Sequence, residues 1–302
     1  MYLLICFVIL LSIFYILYRH FFPTPNIDPN DKYVLISGCD TGFGNGLAIE
    51  LDKQGFNVFA GVYNSESVAS LKEKLSSKAT VFRLDITKKE DIDATFELVN
   101  NKTKVLHALV NNAGIGHVAM TKKFLPLLIA KRDSRIVYTS SAVDYIGFPS
   151  SSAYCAFKCA LESFSDCLRR EMVPWGLHVS VIEPGAMKTP IIEASCGLFE
   201  DFWSKLPSDV KERWGEEYIR TEFHIIKESP LFKFAEDSMK VVRALQHAVM
   251  NKSPHIRYRP GWQSPFILYP LSNLPTCIID WLFNVLNKSR DDPKGVYQQF
   301  KD

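Results

Sequence analysis

The chain has 302 residues, of which 47% are hydrophobic and 23% charged, with a formal net charge of +2. That length suits one α/β domain with extensions, and the composition excludes both a disordered chain and a polyelectrolyte. So small a charge, with no clustered Lys and Arg, excludes nucleic acid as a partner, while seven scattered cysteines without a C-x-x-C pair exclude a disulfide framework and a zinc site.

Residues 2–18, YLLICFVILLSIFYILY, carry no charge and approach the length that crosses a hydrocarbon core. A cleaved signal peptide would need a basic start and small residues before the cut. Neither is present, so residues 1–20 are expected to form an uncleaved membrane anchor, with the proline-rich stretch 21–31 as linker. From Lys32 short β-rich runs alternate with helix-like segments, as in a parallel sheet covered on both faces. The predicted strands are 33–37, 57–63, 80–86, 108–112, 135–140 and 178–184, with a short one near 255–259. Phe157, Leu161, Phe164, Leu168 and Met172 recur at helical spacing and predict one long helix from Tyr154 to Val173, and a last core helix is expected near 236–250. The expectation is α/β: a single Rossmann-type doubly wound parallel sheet over 32–260, with an N-terminal transmembrane anchor and an apolar C-terminal extension over 261–302.

Directly after the first strand comes Gly38-Cys39-Asp40-Thr41-Gly42-Phe43-Gly44, opening a helix. Glycines there let the backbone approach a pyrophosphate, whose charge the free N–H groups and the helix dipole receive. An ordinary tight βα turn is the competing reading. Asp85, at the end of the third strand, is placed to accept from an adenine amino group. Asn111, Ala113 and Gly114 end the fourth strand on the same edge. Taken singly, such residues are more often turn formers that cap the next helix.

Tyr154 and Lys158 stand four apart on the long helix, so both side chains project from one face, and Ser141 precedes Tyr154 by thirteen residues at the end of the fifth strand. Oxidising an alcohol requires a base. A phenol of pKa about 10 serves near neutrality only if roughly 4 kcal/mol of favourable interaction brings it down to about 7. An adjacent ammonium and an oxidised nicotinamide ring together supply that, with Ser141 holding the substrate oxygen. Alone, Y-x-x-x-K is also a common surface pair.

These motifs, in this order and spacing, resemble the short-chain dehydrogenase/reductase superfamily over about residues 30–290. The wording CDTGFGNGLAIELDKQGFNVFAG, YCAFKCALESFSDCLRREM and RYRPGW is most similar to its branch of microsomal retinol and 17β/3α-hydroxysteroid dehydrogenases, with 3-hydroxybutyrate dehydrogenase a near relative. The resemblance implies catalysis by Ser141, Tyr154 and Lys158. It implies cofactor contacts by Tyr154 and Lys158, by the glycine turn, and by Pro184, Gly185 and Thr189 at a nicotinamide-carboxamide site. It further implies an endoplasmic-reticulum membrane enzyme acting on a lipophilic alcohol or carbonyl. One departure stands out: only twenty residues separate Gly114 from Arg135, and the part of the family's helix that carries a fourth catalytic residue, an Asn, is absent. A crossover needs about a dozen residues. The expectation is therefore a preserved fold with an altered proton relay and a weakened homodimer. A catalytically impaired nucleotide-binding scaffold and a 3-hydroxybutyrate-type enzyme are the alternatives.

The second strand ends Val62-Tyr63-Asn64-Ser65, with neither the acid that favours NAD nor the base that favours NADP. No Arg or Lys lies in the glycine turn, which tilts the expectation to NAD over NADP. Region 190–234, the family's substrate lid, holds Leu198, Phe199, Phe202, Trp203, Trp214, Tyr218, Phe223, Leu231 and Phe232. These line an apolar pocket or pack the lid on the body. The apolar face of 278–286 suits docking on the core or on a lipid bilayer. Arg19 favours a cytoplasmic domain, whereas sequons at Asn101, Asn251 and Asn287 are usable only on the luminal side.

Overall fold

The computed structural model describes residues 21–114, 116–190, 199–286 and 292–299, with residues 7, 10, 11, 14, 17 and 18 of the first segment. Seven strands form one sheet: β1 (Tyr33–Ser37), β2 (Asn57–Val62), β3 (Thr80–Arg83), β4 (Ala108–Asn111), β5 (Arg135–Thr139), β6 (His178–Ile182) and, after a small two-stranded sheet of β7 (Met187–Lys188) and β8 (Glu236–Asp237), β9 (Arg257–Tyr258). The order is β3-β2-β1-β4-β5-β6-β9, and every pairing is parallel. The chain reverses its direction of winding between β1 and β4, which leaves a crevice at the strands' carboxyl ends.

Runs such as Val34-Leu35-Ile36 are wholly buried because helices cover both faces. Val34 and Ile36 face α1 (Gly42–Lys53) and α10 (Met239–Met250), alongside Leu47, Leu51, Leu245 and Val249. Leu35 and Leu109 face α3 (Lys89–Lys102), α4 (His117–Ile129) and α5 (Ser152–Glu171), alongside Phe124, Leu128, Leu161 and Leu168. α2 (Glu66–Lys72) covers the outer part of the first face through Leu71. α1 and α10 approach closely at Gly46, where an added Cβ would come within 2.9 Å of Val242.

The expected third strand, 80–86, stops at Arg83. Its backbone leaves the ladder because Asp85 N–H donates to the Asp91 carboxylate at 2.9 Å. The short connection after Gly114 still closes the crossover. Gly116, at φ +88°, turns directly into α4, and a Cβ there would lie 2.5 Å from the Ile86 carbonyl oxygen. The lid's described part is four short helices, α6 (Phe199–Lys205), α7 (Ser208–Trp214), α8 (Glu216–Lys227) and α9 (Pro230–Lys233). Leu198 lies outside the described residues.

After a π turn at Ser264–Leu268 come α11 (Tyr269–Ser272), α12 (Thr276–Leu286) and α13 (Lys294–Gln299). Ile279 and Phe283 of α12 dock on the loop after β5, with Phe283 and Phe148 edge to face at 5.6 Å. Trp262, Phe266 and Trp281 are exposed by 42%, 76% and 60%, so this region also presents an outward aromatic surface.

Among the described residues no single helix is long and apolar enough to cross a membrane. Most of the expected anchor, residues 2–18, lies outside the described residues. The linker is tied down: Asn251 donates to the Thr24 carbonyl at 2.7 Å, and Ile27 N–H to the Met250 carbonyl at 2.8 Å. Asn251 is 3% exposed and its amide is hydrogen-bonded, so this sequon is enclosed in the folded chain. Asn101 is exposed at the end of α3, and Asn287 lies outside the described residues.

Candidate active site

The glycine turn is held in shape by its glycines. Gly38 and Gly42 have φ of +72° and +63°, a region L side chains avoid. A Cβ on Gly38 would lie 2.9 Å from Ala113 Cα, and one on Gly44 would lie 2.3 Å from the Gly38 carbonyl oxygen, so this turn packs backbone to backbone against the end of β4. Gly114 faces open space, whereas Gly42 has one neighbour at contact distance. The nearest atom to a Cβ on Gly42 is the Thr189 methyl at 3.9 Å, and Gly114 has nothing within 4 Å. Gly42 and Thr189 thus lie side by side, with Thr41 as the extended residue that starts α1 and Phe43 packed partly into the core.

Asp40 turns away from the glycine turn. Its carboxylate accepts from Tyr63 N–H and Asn64 N–H, each at 2.8 Å, so an acid stands at the end of β2 although that strand contributes none. Asp85 is buried, and hydrogen bonds from the Thr87 hydroxyl and N–H to Oδ1 hold its carboxyl below the usual carboxylate range.

Asn111 is placed otherwise than the sequence suggests. It is the last residue of β4, wholly buried, and its amide donates to Thr121 of α4 at 3.2 Å, under the sheet rather than toward the crevice. Asn112 faces the edge instead. Its amide donates to the Ser37 and Gly38 carbonyls at 3.2 and 3.0 Å, and it accepts from the Thr139 hydroxyl at 3.3 Å, tying together the ends of β1, β4 and β5. Alternation along β4 puts Asn111 on the face of Leu109 and Asn112 on the other, but Ala108, Leu109 and Val110 are all buried, so it is α4 that decides which face encloses the amide.

Tyr154 and Lys158 of α5 lie against the end of β5, which Ser141 follows by two residues. Ser141 Oγ accepts from Val143 N–H at 3.4 Å, which leaves its hydroxyl proton available as a donor. Lys158 is 5% exposed and donates to the Thr139 carbonyl at 2.8 Å, with its Nζ 5.7 Å from the centre of the Tyr154 ring. Tyr154 is 49% exposed, so its phenol is within reach of a ligand from solvent.

A buried ionic cluster supports this edge from below. Glu183, wholly buried at the end of β6, meets Arg257 Nε at 2.8 Å and Arg259 Nε at 3.0 Å and accepts from the Tyr145 hydroxyl. Burial pushes its carboxyl upward, against the pull of the two arginines. Next to it the Pro184 carbonyl accepts from Ala142 N–H at 2.9 Å. Gln263 accepts from Ala186 N–H at 3.0 Å and donates to the Leu231 and Phe234 carbonyls, packing so tightly on Gly185 that a Cβ there would lie 2.9 Å from it. Sequence reading passed over Glu183 and Gln263, because buried polar residues show their purpose only through distant partners. The lid aromatics pack largely on one another, with Phe199 5.9 Å from both Trp203 and Phe223, and Trp214 5.5 Å from Tyr218.

The sequence profile of the short chain dehydrogenase family matches residues 32–120 and 115–196. Mouse retinol dehydrogenase 5 is 32% identical over 285 positions, covering 84% of this chain and 88% of that protein. Human 17-beta-hydroxysteroid dehydrogenase type 6 is 33% identical over 280 positions, covering 83% and 87%. An alignment of 285 positions that uses 84% of 302 residues, about 254, leaves about thirty that this chain does not fill. The family profile breaks at 115–120, where α4 begins. Among solved structures, a short chain dehydrogenase/reductase from Burkholderia phymatum in complex with NAD has a TM-score of 0.67 at 16% identity, covering 85% of this chain and 96% of that one.

Proposed function

The chain belongs to the short-chain dehydrogenase family and is an alcohol/carbonyl oxidoreductase, and we propose that it uses NAD(H) to interconvert a lipophilic alcohol, a retinoid or a steroid, and its carbonyl compound. The observation that carries this reading is the pairing of a glycine cradle with the Ser141, Tyr154 and Lys158 group at one sheet edge.

The residues present fit a dinucleotide. A turn that side chains would fill at Gly38 and Gly44 but that is open at Gly114 suits the close approach of a pyrophosphate, and Thr189 stands beside Gly42. The Asp40 carboxylate at the end of β2 suits a ribose with a free 2′-hydroxyl and repels a 2′-phosphate, which supports NAD over NADP. When bound, the cofactor supplies the hydride acceptor or donor. Tyr154 exchanges the proton at the substrate oxygen. The Lys158 ammonium favours the phenolate over the phenol, and the Ser141 hydroxyl holds the oxygen. The relatives' activities on retinol and on 17-beta-hydroxysteroids, together with the aromatic lid, support a large apolar substrate.

Residues 2–18 are read as the membrane anchor, in the endoplasmic reticulum. The described members Phe7, Leu10, Leu11, Phe14, Leu17 and Tyr18 are all exposed, as lipid-facing side chains are. A second reading, an impaired nucleotide-binding scaffold, draws on the short connection between Gly114 and α4 and on the roughly thirty alignment positions that this chain does not fill.

Membrane fractions assayed with NAD and NADP against all-trans-retinol and androgen alcohols test the proposal. Turnover with NAD that falls about 10²-fold or more in Tyr154→Phe, with NADH binding kept, is the expected result. Turnover kept by that variant overturns it.

A further inference from the structure

Near Lys158 lies a buried imidazole that the chemistry above does not use. His117 opens α4 directly after the turn carrying Ala113 and Gly114, and it is 1% exposed. Its Nε2 contacts the Ala113 carbonyl. A carbonyl only accepts, so Nε2 carries the proton and Nδ1 is an acceptor. Among the described residues that Nδ1 is buried without a hydrogen-bond partner. An orphaned buried acceptor costs about 1–3 kcal/mol, and the usual remedy is a bound water.

The surroundings say where such a water finds its other partner. The imidazole meets the Tyr138 ring at 6.2 Å and the edge of Phe157 at 5.7 Å, and the same Phe157 ring has Lys158 Nζ 5.6 Å from its centre. The Tyr138 hydroxyl is occupied by Thr121 at 2.7 Å, and the Thr121 hydroxyl reaches the His117 carbonyl at 2.8 Å, so neither β5 nor α4 offers Nδ1 a donor. From β4, Asn111 directs its amide to Thr121. Lys158, from α5, is the charged group acting on the ring among the described residues. Burial first, and then that ammonium, hold the imidazole pKa at about 4, so the ring is neutral across the working range.

We propose that His117 is a positioning residue for Lys158, through one water that accepts from the ammonium and donates to Nδ1. This rests on the reading of Lys158 given above. The neutral acceptor stabilises the charged lysine and fixes one of its three donors, as the Thr139 carbonyl fixes another. The ammonium is thereby held where it favours the Tyr154 phenolate.

Three substitutions separate this role from simple packing. Asn at a histidine position offers an acceptor near Nδ1, Gln offers its amide near Nε2, and Phe offers neither. His117→Phe and His117→Gln should each move the acid limb of log kcat/KM against pH upward by about one unit, a roughly tenfold loss at pH 7. His117→Asn should restore the wild-type limb, with NADH affinity within about twofold throughout. A normal limb in His117→Gln with a shifted one in His117→Asn would assign the residue's importance to the Ala113 contact and overturn the proposal, as would unshifted limbs in all three. Nitrogen-15 NMR of labelled histidine gives a reading independent of turnover. The His117 Nδ1 resonance should be that of a hydrogen-bonded acceptor and should move to that of a bare one in Lys158→Met. A resonance that does not move overturns the proposal even if no substrate is turned over. A resonance that moves in a chain without turnover upholds the proposal and refutes the oxidoreductase reading instead.

Discussion

Asp40 reaches from the glycine turn to Tyr63 at the end of the neighbouring strand, accepting the Tyr63 and Asn64 N–H groups at 2.8 Å. The carboxylate therefore occupies the corner where family members discriminate between a ribose hydroxyl and a ribose phosphate. In Asp40→Ala the repulsion of a 2′-phosphate disappears along with two hydrogen bonds, each contributing about 1 kcal/mol. Calorimetric titration with NADH and NADPH should show weaker NADH binding and at least a tenfold change in the affinity ratio toward NADPH. An unchanged ratio would remove Asp40 from cofactor choice.

Glu183→Ala leaves the guanidinium groups of Arg257 and Arg259 beneath the site without their shared carboxylate. Breaking a buried pair in this way costs about 3–5 kcal/mol, although Arg257 keeps Glu162 and Asp166 at 3.0 and 3.3 Å. Thermal denaturation should show a loss of roughly 6–15 °C in Tm. A loss below about 2 °C would mean that the cluster does not support the edge.

Acid should destabilise the fold through its buried histidines. Burial and the Arg135 charge depress His107 to about 3, and burial with Lys158 depresses His117 to about 4, against an ordinary 6.5. The unfolded chain then binds more protons than the folded one below pH 6.5. The stability these neutral rings contribute is complete above that pH and is lost as pH falls toward 4. Denaturant titrations at pH 7 and pH 5 should differ by a few kcal/mol, on the order of one to two per histidine. In His117→Phe the difference should shrink by one histidine's share.

Restoring a full-length family helix after Gly114 should raise turnover several-fold or more and strengthen self-association, while dinucleotide binding stays the same. The crevice residues Gly38, Gly42 and Gly114 are already in place without that segment. Stopped-flow turnover, NADH calorimetry and sedimentation on both chains decide the matter. Equal turnover and equal association would show the segment to be dispensable and leave the scaffold reading without support.

Strand existence and order, the glycine turn and the spacing of Ser141, Tyr154 and Lys158 were legible in the chain itself, because hydrophobic period and turn chemistry are local properties. Even the shortened connection after Gly114 was visible by counting. What the chain alone left open were the contacts between residues far apart in sequence. Asp40 supplies the acid at the end of a strand that has none, because the turn after β1 lies beside the end of β2 in the parallel register. Asn111 and Asn112, adjacent and alike in chemistry, point to opposite sides, and only the packing of α4 against β4 decides which of them the core takes. Asn251 closes on the linker across more than two hundred residues. Glu183 and Gln263 look unremarkable until folding buries them, when the cost of an unpaired charge or amide in a low-dielectric interior makes their partners obligatory.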